Sequence, residues 1–139
     1  SKPTIVIHVR RGDFLAVADF VKPISEQIKT LSDNIIRSSE IILLTDSPKL
    51  VKNELAENSR SRELLKKSKI LGPEDTNIYD VIEIMTTADI LVASNSQLSL
   101  VASILNPNII VFDVQNFVKD KRYLKKLKNL TKGVCLWHN

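Results

Sequence analysis

Six short apolar runs, continuous rather than alternating, constrain the fold of this chain more than any other feature. They are Thr4-Ile5-Val6-Ile7-His8-Val9, Glu40-Ile41-Ile42-Leu43-Leu44-Thr45, Lys69-Ile70-Leu71, Ile90-Leu91-Val92-Ala93, Asn108-Ile109-Ile110-Val111-Phe112 and Gly133-Val134-Cys135-Leu136. A strand with one wet face alternates polar and apolar residues. A strand covered on both faces does not, and such strands belong to parallel sheets. The stretches between them carry helical periodicity. Residues 21–38 set Ile24, Ile28, Leu31, Ile35 and Ile36 on one face. Ser47 and Pro48 have the cap and first-position chemistry of a helix running to about residue 58. Residues 78–88 carry Ile78, Val81, Ile82 and Met85, and residues 97–105 are almost wholly apolar, as for a helix buried on a sheet. Gly72-Pro73 and Asn106-Pro107-Asn108 read as turns. Strand alternating with helix predicts a doubly wound, Rossmann-like parallel α/β sheet. No internal repeat or linker interrupts the 139 residues, so a single domain over residues 1–139 is expected.

Composition removes several other classes. A 43% hydrophobic chain with eight Pro and Gly residues is neither disordered nor collagen-like. No apolar run approaches the ~18 residues that span a bilayer. One cysteine, Cys135, excludes an internal disulfide framework. The first residues, Ser-Lys-Pro-Thr, lead straight into a strand without a signal-like apolar region, so a piece of a longer protein is expected. Residues 119–132, KDKRYLKKLKNLTK, hold seven Lys/Arg against one Asp, a local +6 that leaves −2 for the rest of a +4 chain. A uniformly basic nucleic-acid domain does not divide its charge this way. Leu124, Leu127 and Leu130 give the segment a narrow apolar stripe, suited to packing on a core or to an anionic surface.

Open parallel sheets bind ligands outside the carboxyl ends of their strands. Those ends read HVRRGD, then Thr45-Asp46-Ser47, then Ser94-Asn95-Ser96-Gln97, then Asp113. His8 stands where a plain core strand would stay apolar, and Arg10, two residues on, points the same way. Arginine offers a planar fork of donors for phosphate oxygens and stays charged when desolvated. Gly12 permits a sharp turn, and Asp13 can orient an arginine. The plain alternative is a buried histidine held by backbone beside two arginines in surface ion pairs. Ser94, Asn95 and Ser96 have helix-capping chemistry, and a helix N-terminus attracts anions. The Gly-rich loops of dinucleotide and P-loop sites are absent, as are an Asp-x-Asp pair at a strand end and any His/Cys/Asp cluster with metal spacing. No metal site is expected.

HVRRGDF after a first strand, then ILLTDSPKLVKNEL, then ADILVASNSQLS resembles, in that order, the donor-binding half of α-1,2-fucosyltransferases. More broadly the chain is similar to the superfamily that shares an HxRRxD motif with the α-1,6 and protein O-fucosyltransferases. The similarity covers most of residues 4–112; none is seen after residue 113. It implies the C-terminal half of a GT-B architecture, gripping GDP-fucose opposite an N-terminal domain that would precede residue 1. It further implies inverting, metal-independent transfer of fucose to a glycan acceptor, with GDP-fucose as donor and no other cofactor. On this resemblance Arg10 contacts the β-phosphate and stabilises the leaving diphosphate, as the catalytic residue, and His8 sits beside the nucleotide. Arg11 and Asp13 complete the motif on the GDP-fucose side. Ser94, Asn95, Ser96 and Gln97 turn a helix N-terminus toward the pyrophosphate, and Asp80 matches a carboxylate that pairs with guanine N1 and N2. Where the family usually has Ser-Phe-Ser-Trp after the asparagine, this chain has Gln97-Leu98-Ser99-Leu100.

Two other readings stand beside this one. A degenerate module would hold the nucleotide sugar without transferring it. A basic adaptor would dock on nucleic acid or anionic membrane through residues 119–132, with the steep salt dependence of counterion release. On the main reading no nucleic acid partner is expected, and the basic tail is the part suited to a membrane. Localisation stays open: cytoplasm or membrane periphery in a bacterial cell.

Overall fold

A computed structural model describes residues 2–12, 23–94, 96–113, 125–126, 129–131 and 133–138. Six parallel strands form one sheet: β1 (Thr4–Val9), β2 (Glu40–Thr45), β3 (Lys69–Leu71), β4 (Ile90–Val92), β5 (Ile109–Asp113) and β6 (Val134–His138). Their order is β3-β2-β1-β4-β5-β6, so the sheet grows outward in both directions from β1 and reverses between β1 and β4. This is the doubly wound α/β order expected from the sequence.

The register sorts side chains onto two faces. Ile5, Ile7 and Val9 pack with Ile41, Leu43, Ile90, Val92 and Val111 under α1 (Ile24–Gln27), α3 (Pro48–Ala56) and α4 (Ser59–Lys67), with α2 (Asp33–Ser38) alongside through Ile36. Val6, Leu44 and Leu91 pack on the other face under α5 (Ile78–Thr87) and α6 (Gln97–Leu105), through Met85, Ala88 and Ala102. Ile110 and Phe112 extend that second face under Leu100 and Ile104. Continuous apolar strands follow from burial on both sides.

The helices depart from expectation in four places. Residues 21–38 do not form one helix within the described part. The chain turns over Ile28–Leu31, and Ser32 restarts it as α2 by accepting the amide of Ile35. Ile35 therefore ends up exposed, while Ile24, Ile28 and Leu31 stay in the core. Ser47 occupies the cap position of α3 without a side-chain cap, and its own amide donates to Thr45 Oγ1 at 3.0 Å. Helix α4, SRSRELLKK, has two apolar residues in nine, too few for periodicity to reveal it. Helix α6 fully buries only Ser99, Ala102 and Ser103; Leu98, Leu100 and Ile104 pack on the sheet while half-buried, and Val101 and Leu105 are exposed. Helix α5 opens with a reciprocal capping box: Asn77 Oδ1 accepts from the Asp80 amide at 2.9 Å, and Asp80 Oδ2 from the Asn77 amide at 3.2 Å.

Candidate functional site at the carboxyl edge

The even-numbered residues of β1 face α5 and α6, so His8 falls on that side, and Arg10 continues it beyond the strand end. Asp46, just past β2, faces the same way. Together they wall a cleft of about 200 Å³, closed by Leu44, Leu71, Gly72 and Pro73, by Thr76, Asn77, Ile78 and Val81 at the start of α5, and by Leu98 of α6. The cleft lies against the point where strand order reverses, the usual ligand position in such sheets.

His8 is 6% exposed, and its Nδ1 meets a hub of serine hydroxyls. Ser99 Oγ lies at 2.6 Å, Ser94 Oγ at 2.9 Å and Ser96 Oγ at 3.5 Å. Ser99 Oγ also accepts the Ser94 amide at 3.0 Å, and Ser96 Oγ caps α6 by accepting the Ser99 amide at 3.1 Å. The β1–β4 ladder ends at Ile7–Val92, and the His8 carbonyl instead accepts from Gln27 Nε2 at 3.1 Å. Burial, chiefly, and the Arg10 cation lower the His8 pKa from 6.5 to about 4, with Asp46 pulling the other way. The ring is thus neutral at pH 7.

That shift has a sign. Above pH 6.5 the ring is neutral in both folded and unfolded chains, so it adds no pH dependence. Between pH 6.5 and about 4 only the unfolded chain takes up the proton, so stability falls with pH, by about 3 kcal/mol once complete. Urea unfolding of the protein at pH 7, 6 and 5 should show this decline, and His8→Gln should flatten it. Parallel declines in the two proteins would contradict the account.

The two arginines diverge. The Arg10 side chain is 36% exposed, with Nε 3.5 Å from Asp46 Oδ2. Arg11 is 5% exposed and turns to the opposite face, where Glu54 of α3 takes its fork. Its Nη2 donates to Glu54 Oε2 at 2.9 Å and Oε1 at 3.1 Å, and its Nε to Oε2 at 3.1 Å. Its Nη1 donates to the Arg10 carbonyl at 3.0 Å. Arg11, expected on the GDP-fucose side, therefore sits away from the cleft, in a half-buried ion pair whose Glu54 side chain is 29% exposed. Asp46 Oδ1 accepts the Arg11 amide at 2.8 Å, and Gly12 packs so close to Oδ2 that a Cβ there would collide with it. Asp46 thus pins the turn that carries Arg10.

Of the other sequence-expected residues, Ser94 and Ser96 reach His8, whereas Gln97 is exposed at the start of α6. Asp80 is exposed beside the cleft, its carboxylate engaged with the Asn77 amide. Asp13 and Asn95 lie outside the described residues, as does most of the basic segment 119–132; Lys125, Lys126, Asn129 and Leu130 are described, and exposed. Asp46, Ser99, Glu54 and Gln27 join the site or its support without having been singled out. For Ser99 a signal existed, since it stands three residues after the cap Ser96, on the first turn of α6. No family model, curated protein or solved structure matches the chain.

Proposed function

We propose that the cleft binds the diphosphate of GDP-fucose and that the chain is the donor-binding half of an inverting, metal-independent fucosyltransferase of α-1,2 type, acting on a glycan hydroxyl. One observation carries the reading. His8 and Arg10 of the HVRRGD motif share one wall of the cleft at the strand-order reversal, between the first turns of α5 and α6. Helix N-termini and a guanidinium favour a dianionic ligand there.

The chemistry follows from the charge. As the sugar–phosphate bond breaks, negative charge grows on the departing diphosphate, and a preorganised donor aimed at it lowers the barrier. Loss of one such donor typically costs 10²–10³ in rate. Asp46 lies 3.5 Å from Arg10 Nε and keeps the guanidinium at the cleft wall, where its planar fork of donors suits phosphate oxygens. At about 200 Å³ the cleft is smaller than the roughly 300–1,000 Å³ that enclose a whole ligand. That size suits one end of a nucleotide sugar, with the fucose and acceptor held against a facing domain. A degenerate module would share this site and lack transfer; the stretch Gln97-Leu98, which lacks the aromatics of the resembled family, favours it as the second reading.

Isothermal titration with GDP, with and without EDTA, tests the proposal. The expected result is one GDP per chain, unaffected by the chelator, with guanosine far weaker. Equal heats for guanosine and GDP, or binding abolished by EDTA, would overturn it.

A further inference from the structure

We infer that Ser99 is a positioning residue that fixes His8 as the neutral tautomer protonated on Nε2, so that the ring presents an N–H donor to the cleft. The hydrogens of the serine hub fix the arrangement. Ser99 Oγ already accepts the Ser94 amide at 3.0 Å, so its own hydrogen needs an acceptor. Two atoms are in reach: His8 Nδ1 at 2.6 Å and Ser94 Oγ at 3.2 Å. A separation of 2.6 Å is shorter than N–H···O bonds run and closer to the range of hydroxyl donors. Ser94 Oγ sends its hydrogen to Ser96 Oγ at 3.1 Å, and Ser96 Oγ accepts the Ser99 amide as well. The shortest contact open to the Ser99 hydrogen is then the one to Nδ1, which leaves the proton of the neutral ring on Nε2.

The alternative arrangement puts the proton on Nδ1. Ser99 Oγ would then accept two N–H groups and send its hydrogen along the longer 3.2 Å path. Two charged groups lie beside the ring: Arg10, which disfavours a second proton, and Asp46, which favours one; the first prevails with burial. Nδ1 is committed to the hub, and His8 is a wall of the cleft, so Nε2 is the nitrogen left for a ligand. A neutral N–H donor suits a phosphate or hydroxyl oxygen and keeps its proton across the physiological range. Only the identity of that oxygen rests on the function proposed above; the tautomer does not.

Long-range proton–nitrogen correlation of the imidazole in uniformly ¹⁵N-labelled protein at pH 7 reads the tautomer directly. The expected pattern for His8 is an unprotonated Nδ1 and a protonated Nε2. In Ser99→Ala the remaining close hydroxyl, Ser94 Oγ at 2.9 Å, already donates to Ser96. It becomes an acceptor, and the ring should move toward the Nδ1–H form. Ser96→Ala removes the cap of α6 and the acceptor of the Ser94 hydrogen, which leaves Ser99, and Ser94 with it, to donate to Nδ1, so its pattern should match the parent. A protonated Nδ1 in the parent would overturn the inference. So would an unchanged pattern in Ser99→Ala with a native-like amide spectrum. Should Ser99→Ala not fold, the parent spectrum decides by itself. Failure of GDP to bind, with the Nε2–H pattern present, would count against the proposed function and not against the tautomer.

Discussion

Truncating Glu54 to alanine should destabilise the fold by about 3–5 kcal/mol, the cost of leaving a buried charge without its partner. Arg11 is 5% exposed, and Glu54 satisfies its fork through both carboxylate oxygens. Glu54 Oε1 also accepts the Ile24 amide at 2.9 Å, where α1 begins. One carboxylate therefore ties the HVRRGD turn to two helices on the same face of the sheet. A small domain holds only about 5–15 kcal/mol in all, so the loss should be plain in a urea unfolding curve at pH 7. Glu54→Gln keeps the shape and one acceptor, and should fall between parent and alanine variant. A loss under about 1 kcal/mol for Glu54→Ala would mean that water screens the pair as it screens a surface one.

The second large effect separates binding from stability across two neighbouring residues. Arg10→Lys should weaken GDP by about 1–3 kcal/mol, because lysine keeps the charge and loses the bidentate fork. Its unfolding should stay close to the parent's, since the Arg10 side chain is partly exposed. Arg11→Lys should do the reverse. Lysine cannot reproduce three donor contacts to Glu54 together with one to the Arg10 carbonyl, so stability drops. GDP affinity of the folded fraction should change little, because the Arg11 fork lies on the far face. Calorimetric titration with GDP, paired with urea unfolding, reads both axes. A larger affinity loss at Arg11 than at Arg10 would exchange their roles.

How far the sequence reaches is visible in these same residues. The strands were legible because burial on both faces erases alternation, and the period of two then set His8 and Arg10 on one side and Arg11 on the other. What Arg11 pairs with was not legible. Glu54 is 43 residues away on a helix whose rotation no local pattern specifies. Asp46 was visible as a strand end, but its grip on the Arg11 amide depends on the parallel register of β1 with β2. Ser99 hid within an apolar helix because hydrophobicity marks a buried face and not the one hydroxyl on it. The break between α1 and α2 turned on Ser32 capping a new start, a local signal masked in the sequence by the longer apolar period.

The central claim is that an anionic nucleotide sits on the wall made by His8 and Arg10. Amide chemical shifts during a GDP titration test it most directly. The largest changes are expected at His8–Gly12, at Asp46, at Thr76–Ile78 and at Ser96–Ser99, with little at Lys125, Lys126 and residues 129–131. Changes confined to that basic segment, fading steeply as salt is raised, would contradict it and make the chain a polyanion-docking domain.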